Sequence, residues 1–116
     1  MDSLYQQNEE LNRLGKVIEY IELHYNEDIN VEMACGLLNL NYFYFCRMFK
    51  KVIGRTFVQY LNYVRVSVAE KLLLTTNMPI TDIIMETGFS SLSYFNRIFK
   101  SHKGCSPSTF RKSKTG

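Results

Sequence analysis

One short aromatic and basic segment occurs twice in this chain, as YFCRMFK at residues 44–50 and as YFNRIFK at residues 94–100. The two copies lie 50 residues apart, and Gly54 and Gly104 follow them at the same distance. The two phenylalanines of each copy are four residues apart, so they share one face of a helix. Glycine is the residue that most often ends a helix. The repeat therefore predicts two copies of one amphipathic helix, each stopped by a glycine.

The apolar residues of each predicted helix identify the face that it buries. In the first helix they are Phe45, Met48, Phe49 and Val52, and in the second Phe95, Ile98 and Phe99. The opposite face of the first helix carries Tyr42, Phe43, Cys46, Arg47 and Lys50. The opposite face of the second carries Leu92, Ser93, Asn96, Arg97 and Lys100. Since Arg suits bidentate contact with guanine and Asn with adenine, we predict that these two outer faces contact DNA.

A second pattern precedes each repeated helix. A short apolar helix runs from Val31 to about Asn39, and its counterpart runs from Ile80 to Thr87 and ends at Gly88. Each is followed by an inward apolar residue, Leu40 or Phe89, and then by a helix cap, Asn41 in one case and Ser90 or Ser91 in the other. Two helices joined by a tight turn form the helix-turn-helix motif, whose second helix enters the DNA major groove.

Three further helices complete the predicted fold. The first covers roughly residues 9–25, with an apolar face of Leu11, Leu14, Ile18, Ile21 and Tyr25. A helix of about 20 residues begins after a Thr56 cap, with a stripe of Phe57, Tyr60, Leu61, Val64, Val68, Leu72 and Leu73. Ser106 and Pro107 open a short last helix. No segment alternates with period two, so we predict an all-α domain.

The charge of the chain is unevenly distributed. Its net charge is +3, but residues 1–40 carry two basic and eight acidic residues, whereas residues 41–116 carry twelve basic and three acidic residues. A basic C-terminal portion favours a polyanionic partner, although a solvated basic face would give the same count.

Other classes of function have little support in the sequence. The three cysteines and two histidines have no metal-ligand spacing, so we expect no metal and no cofactor. No Ser-His-Asp set and no phosphate-binding glycine loop is present, so we do not expect an enzyme. No apolar run reaches the ~20 residues of a membrane span, so we expect a cytoplasmic protein without a membrane partner. A protein-interaction module and an RNA-binding domain stay open as alternatives, and the salt dependence of binding would distinguish DNA-type binding from apolar docking.

Several linked motifs also resemble those of one known family. They are I-x-Y-I-x-x-H-Y at residues 18–25, Y-F-x-R-x-F-K in both repeats, F-x-x-Y-L at 57–61, R-x-x-x-A-x-x-L-L at 65–73, G-F-S-S-x-S-Y-F at 88–95 and G-x-S-P-x-x-[YF]-R at 104–111. Together they resemble the DNA-binding domain of the AraC/XylS transcriptional regulators. The resemblance covers roughly residues 11–112, which is nearly the whole chain.

The resemblance implies a seven-helix domain of two helix-turn-helix subdomains joined by a long linker helix. The first subdomain would span about 11–55, the linker helix about 56–75 and the second subdomain about 79–112, with an N-terminal extension or linker remnant at 1–10 and a tail at 113–116. The implied function is sequence-specific binding of double-stranded DNA in transcription regulation, more often activation, with two recognition helices in successive major grooves. The implied base-reading residues are Phe43, Cys46, Arg47, Leu92, Ser93, Asn96 and Arg97.

The same resemblance bears on partners. Family members commonly carry a ligand-sensing or dimerisation domain before this one, so we expect an effector to act only through a domain outside this chain. RNA polymerase is a further candidate partner. The chain departs from the family pattern where Tyr42 and Phe43 open the first recognition helix, since small or polar residues are commoner there. We expect these rings to contact thymine methyl groups. A second departure is Ala34-Cys35, where Leu-Ala is usual.

Overall fold

The computed structural model of the chain describes residues 3–115, and it describes side chains for residues 7–113. Seven helices follow one another: α1 Ser3–His24, α2 Val31–Leu38, α3 Tyr42–Ile53, α4 Phe57–Thr75, α5 Ile80–Thr87, α6 Leu92–Lys103 and α7 Pro107–Thr115. No strand occurs in residues 3–115, which confirms the all-α prediction of two helix-turn-helix subdomains with a linker helix, α4. The outermost positions of the expected linker remnant and tail, residues 1, 2 and 116, lie outside the described residues.

Polar side chains begin most of the helices, as the sequence predicted. Asn41 Oδ1 accepts hydrogen bonds from the backbone N–H groups of Phe43 and Tyr44, at 2.9 and 3.1 Å. Ser91, rather than Ser90, caps α6 by accepting from the Tyr94 N–H at 3.1 Å. Thr56 and Gln59 bond to each other's backbone N–H at the start of α4, which is a capping box. These bonds satisfy donors that the helix itself leaves free.

Left-handed residues end the two short helices and the two recognition helices. Asn39 closes α2 with φ 54°, and it is the one residue other than glycine with positive φ in the described chain. Gly54, Gly88 and Gly104 close α3, α5 and α6 with φ of 85°, 86° and 81°. At Gly88 a second constraint is present, because a Cβ atom there would lie 2.6 Å from the Tyr25 carbonyl oxygen. Glycine is therefore required at this turn for space as well as for backbone conformation.

The helices form two compact units, and the division falls inside α4. Unit 1 consists of α1 and of residues Ile29–Leu61. Unit 2 begins at Asn62 and also includes Tyr25–Asp28, the segment that follows α1. Each unit contains one helix-turn-helix pair, α2 with α3 or α5 with α6.

The core of unit 1 is apolar and centred on phenylalanines. Its buried hydrophobic residues are Leu14, Val17, Ile21, Ile29, Ala34, Cys35, Phe45, Met48, Phe49, Phe57 and Leu61. The rings of Phe45 and Phe49 lie 5.7 Å apart, and the Phe57 ring lies 6.0 Å from that of Phe49. The buried face of α3 is therefore held by the first turn of α4.

Two predicted details of the helices are wrong. The first helix begins at Ser3 rather than near residue 9, and its predicted core residue Leu11 is 53% exposed. Leu14 and Ile21 are buried as predicted, but the third buried residue is Val17, so the buried face is turned away from Leu11. In α4, the predicted stripe residues Val64 and Val68 are half-buried, whereas Val66 and Ala69 are buried. Adjacent residues of a helix point about 100° apart, so a helix with several neighbouring apolar residues has more than one candidate buried face. Packing against the other helices decides which of these faces is buried.

Unit 2 repeats the phenylalanine core. Its buried cluster comprises Val66, Ala69, Leu73, Ile83, Ile84, Phe89, Phe95, Phe99 and Phe110. The Phe95 and Phe99 rings are 5.7 Å apart, the same separation as for Phe45 and Phe49 in unit 1. Phe89 and Phe110 extend the stack at 5.1 Å from Phe95 and 5.4 Å from Phe99. The buried face of α6 is thus fixed by the turn before it and by the helix after it.

Two arginines of unit 2 bind backbone carbonyl groups. Arg65 is buried and donates from Nε to the Tyr25 carbonyl at 2.7 Å and from Nη2 to the Glu27 carbonyl at 2.9 Å. Arg111 donates to the carbonyl oxygens of Leu73, Thr76 and Met78 at 2.8–3.2 Å. Burial lowers the pKa of Arg65, but a guanidinium stays charged at neutral pH. Both side chains donate to carbonyls in the last turn of a helix or just after it, where the helix itself supplies no donor.

Candidate nucleic-acid interface

Helix α3 separates its side chains into a core face and an outer face. Tyr42, Phe43, Arg47 and Lys50 are exposed, and Cys46 is half-buried. Phe43 is 67% exposed, and with the exposed Tyr42 beside it forms an apolar patch at the start of the helix. The structure therefore brings the five sequence-predicted residues of unit 1 to one side of the helix, opposite Phe45 and Phe49.

The N-terminal end of this outer face is aromatic. The Tyr42 and Phe43 rings contact each other edge to face, with centroids 5.2 Å apart and planes at 85°. One turn further along, the negative charge of a Cys46 thiolate, and then a side-chain hydrogen bond with Cys46, raise the pKa of the Tyr42 phenol. Burial raises the pKa of the Cys35 thiol, so that side chain stays neutral at physiological pH. This end of α3 presents a neutral, mainly apolar surface beside Arg47.

The outer face of α6 has a different chemistry. Leu92, Ser93, Asn96, Arg97 and Lys100 are all exposed. Hydroxyl, amide and guanidinium groups follow one another along the helix, and each is a hydrogen-bonding group that can read a base edge. The structure places all five predicted residues on one face of unit 2, opposite the buried Phe95 and Phe99.

Basic side chains lie near the C-terminal ends of both helices. Lys50 Nζ donates to the Gly54 carbonyl at 3.4 Å. A carbonyl group carries no net charge, so this hydrogen bond does not neutralise the lysine. Lys51 pairs with Glu10 at 3.4 Å and Lys103 pairs with Glu70 at 2.6 Å. Lys50 and Lys100, the lysines of the two predicted DNA-contacting faces, are exposed. Their charge suits a polyanion.

Sequence reasoning assigned no role to the repeated tyrosines, Tyr44 and Tyr94. The Tyr44 hydroxyl donates to Glu10 Oε2 at 3.2 Å, and the Tyr94 hydroxyl accepts from Asn62 Nδ2 at 2.8 Å. Glu10 and Asn62 are both buried, so each tyrosine satisfies a polar group that needs a partner. The signal for this role was the repetition itself, since both tyrosines keep the 50-residue offset.

Two other kinds of site are not found in the described chain. Among the described residues, no three His, Cys, Asp or Glu side chains are grouped so that they could hold a metal ion. No described helix has the length and apolar character needed to span a membrane.

Comparison with known proteins gives matches over most of the chain. A family described as "Helix-turn-helix domain" matches residues 34–113. The Bacillus subtilis (strain 168) protein named "Bifunctional transcriptional activator/DNA repair enzyme AdaA" is 34% identical over 96 residues, which are 83% of this chain and 46% of that protein. The chain thus spans less than half the length of this relative.

Solved structures match the fold closely. The C-terminal domain of AraT, a response regulator from Geobacillus stearothermophilus, superposes with a TM-score of 0.83 and 31% identity, covering 87% of this chain and 84% of that one. The DNA-binding domain of AdpA, a global transcriptional factor, was solved in complex with a target DNA. It superposes with a TM-score of 0.82 and 26% identity, covering 86% of this chain and 90% of that one.

Proposed function

Because the chain belongs to the AraC/XylS family of helix-turn-helix proteins, we propose that it binds double-stranded DNA sequence-specifically and regulates transcription, with α3 and α6 in successive major grooves. One observation carries this proposal. Each helix has an exposed arginine at the same position, Arg47 or Arg97, on its outer face. The inner face of each helix carries a pair of fully buried phenylalanines. In helix-turn-helix proteins the second helix of the motif lies in the major groove and its outer side chains contact base edges.

In unit 2 we assign hydrogen-bond readout to α6. The Arg97 guanidinium suits the O6 and N7 acceptors of guanine, and the Asn96 amide suits the N6 donor and N7 acceptor of adenine. Ser93 adds a hydroxyl that can donate or accept, and Leu92 adds an apolar contact at the helix start. Lys100 would bind phosphate, so it positions the helix without selecting a sequence.

In unit 1 we assign mainly apolar readout to α3. Phe43 and Tyr42 suit thymine methyl groups, while Arg47 suits guanine and Cys46 lies beside it. Lys50 would bind phosphate, as Lys100 does in unit 2. Different outer faces on two similar cores suit a DNA site whose two halves differ in sequence.

The wider role of the protein is part of the same proposal. The name of the AdaA relative includes transcriptional activation, and we propose activation here, with RNA polymerase as a contact and any effector acting through another domain. We propose that the DNA-binding domain covers residues 11–112, with subdomains of about 11–55 and 79–112 joined by the linker helix. We propose no enzymatic activity for this domain and place its action in the cytoplasm.

The test is to replace each recognition arginine. Arg47→Ala and Arg97→Ala should leave thermal unfolding nearly unchanged, because both side chains are exposed. Each should weaken binding to a duplex selected from random sequences by roughly 1–3 kcal/mol, the usual value for a bidentate guanine contact. Fluorescence anisotropy with selected and scrambled duplexes would measure both affinities.

Lys100→Ala is the matched control on the same helix. It should weaken binding to selected and scrambled duplexes alike and should reduce the slope of log K against log salt. Unchanged affinity of both arginine variants for the selected duplex would contradict the proposed readout.

A further inference from the structure

Tyr94 is held in unit 2 at three points, which are its backbone, its hydroxyl group and its ring. Its backbone N–H donates to Ser91 Oγ at 3.1 Å, and its hydroxyl accepts from Asn62 Nδ2 at 2.8 Å. Its ring packs against that of Phe89, with centroids 6.1 Å apart. Asn62 is 6% exposed and Phe89 is buried, so the groups that hold Tyr94 belong to the packed part of the unit. The ring therefore has one position relative to the start of α6.

A recognition arginine, Arg97, lies over this ring. The guanidinium carbon of Arg97 lies 5.1 Å from the Tyr94 ring centroid, within the range of a cation–π contact. Tyr94 is three residues before Arg97, so both lie on neighbouring positions of the same helix surface. We propose that Tyr94, fixed by Asn62, is a positioning residue that holds the Arg97 guanidinium ready for base contact and so raises the preference for specific DNA.

The physical reason is the entropy of a long side chain. An arginine side chain that moves freely on the protein surface loses rotamer freedom when it binds a base, and this loss of entropy weakens binding. A ring that already holds the guanidinium in one orientation removes part of the loss before DNA arrives. A guanidinium that only neutralises phosphate needs no fixed orientation, so binding to unrelated sequences should not depend on the ring.

Unit 1 contains the first part of the same arrangement. Tyr44 is fixed through its hydroxyl by the buried Glu10, and Arg47 follows it at the same spacing as Arg97 follows Tyr94. The holding group is a carboxylate in unit 1 and an amide in unit 2. A buried polar group that fixes a tyrosine before the recognition arginine is thus common to both units.

The contact can be tested in the free protein. Side-chain protons of Arg97 over an aromatic ring should show upfield ring-current shifts in the NMR spectrum. Tyr94→Leu should remove these shifts, and Tyr94→Phe should keep them because it retains the ring. Arg97 signals that are the same in Tyr94→Leu as in the wild type would overturn the inference, whatever the protein does with DNA.

The consequence for recognition rests on the proposed function and is tested by a double-mutant cycle. Tyr94→Leu should weaken binding to the selected duplex by about 2- to 10-fold, the range expected for an exposed cation–π contact and the ordering it provides. Binding to a scrambled duplex should not change, and Tyr94→Phe should have a smaller effect. In an Arg97→Ala background Tyr94→Leu should have no further effect, whereas in a Lys100→Ala background its effect should be retained.

The outcomes separate this inference from the proposed function. Equal weakening of selected and scrambled duplexes by Tyr94→Leu, with Arg97→Ala still selective in its effect, would overturn the positioning role and leave the DNA-reading role of α6 in place. A wild-type protein that binds both duplexes equally would overturn the proposed function, and with it the role of Tyr94 in recognition. The ring-current measurement would still report whether the contact exists. Thermal unfolding of each variant shows whether it remains folded at the assay temperature.

Discussion

At the scale of single residues, the two repeated phenylalanine pairs decide which face of each recognition helix meets solvent. Phe45, Phe49, Phe95 and Phe99 are all fully buried, while Phe43, on the same helix as the first pair, is 67% exposed. The same residue type therefore has two roles within α3, and its helical position decides between them. This contrast allows a stability test with an internal control.

Phe49→Ala and Phe99→Ala should each lower the free energy of unfolding by ~3–5 kcal/mol, because each leaves an aromatic-sized cavity in a packed core. Phe43→Ala should change it by less than about 0.5 kcal/mol, as expected for a surface substitution. Urea unfolding followed by far-UV circular dichroism would measure all three. A Phe99→Ala midpoint equal to that of Phe43→Ala would contradict the core role of Phe99.

Sequence patterns predicted the buried phenylalanines because Phe45, Phe49, Phe95 and Phe99 repeat at helical spacing in both copies. They did not predict that Leu11 is exposed, since Val17 lies close enough in sequence to offer α1 a different buried face. They also gave no sign of the role of Arg65, whose carbonyl partners at Tyr25 and Glu27 lie 40 and 38 residues away. Periodicity describes the face of one helix, whereas such long-range bonds depend on where another segment passes.

At the scale of helices and turns, local chemistry decides most boundaries, and these were predictable. A cap such as Asn41 or Thr56 and a left-handed residue such as Gly54 act on backbone groups within four positions, so a single sequence is enough to identify them. The close approach at Gly88 was not predictable in the same way. It depends on Tyr25, which is distant in sequence but packed against this turn in unit 2.

Gly88→Ala and Gly104→Ala separate these two constraints. Both glycines have nearly the same positive φ, 86° and 81°, so alanine at either position should cost about 1–2 kcal/mol in backbone strain. At Gly104 a Cβ would have no neighbour within 4 Å, but at Gly88 it would lie 2.6 Å from the Tyr25 carbonyl oxygen and 2.8 Å from the Asn26 Cα. We expect Gly88→Ala to cost about 1–3 kcal/mol more than Gly104→Ala, as overpacking does.

Thermal unfolding of the two variants in parallel would measure this difference. The Tyr25 carbonyl also accepts the hydrogen bond from Arg65, so a shift of this segment to relieve the clash would disturb that bond as well. Equal losses of melting temperature in the two variants would show that the 25–28 segment moves aside without cost.

At the scale of the whole molecule, one continuous helix contributes to both units. Phe57 and Leu61, near the start of α4, are buried in unit 1, while Val66, Ala69 and Leu73 are buried in unit 2. The helix has 19 residues and is therefore about 28 Å long at ~1.5 Å per residue. Because both units belong to one chain, we expect a single molecule to bring two recognition helices to the same DNA duplex.

This expectation leads to a prediction about the spacing of the DNA site. One turn of B-DNA is about 34 Å, the distance at which two recognition helices meet successive major grooves on one face of the duplex. One chain would then contact two segments about one turn apart, as simpler helix-turn-helix proteins do only as dimers. A linker somewhat shorter than that turn would require the DNA to bend, or one unit to rest on the backbone.

Inserting five base pairs between the two segments tests this arrangement, because it turns one half-site to the opposite face of the duplex. The affinity of a single chain should then fall toward that of one unit, and Arg47→Ala or Arg97→Ala should no longer both weaken binding. A probe in which five base pairs between the segments are replaced, not inserted, keeps the spacing and should bind like the parent. Footprinting and anisotropy on the three probes would measure the protected segments and the affinities. Equal affinity for the parent and the inserted probe would mean that one unit alone recognises the DNA.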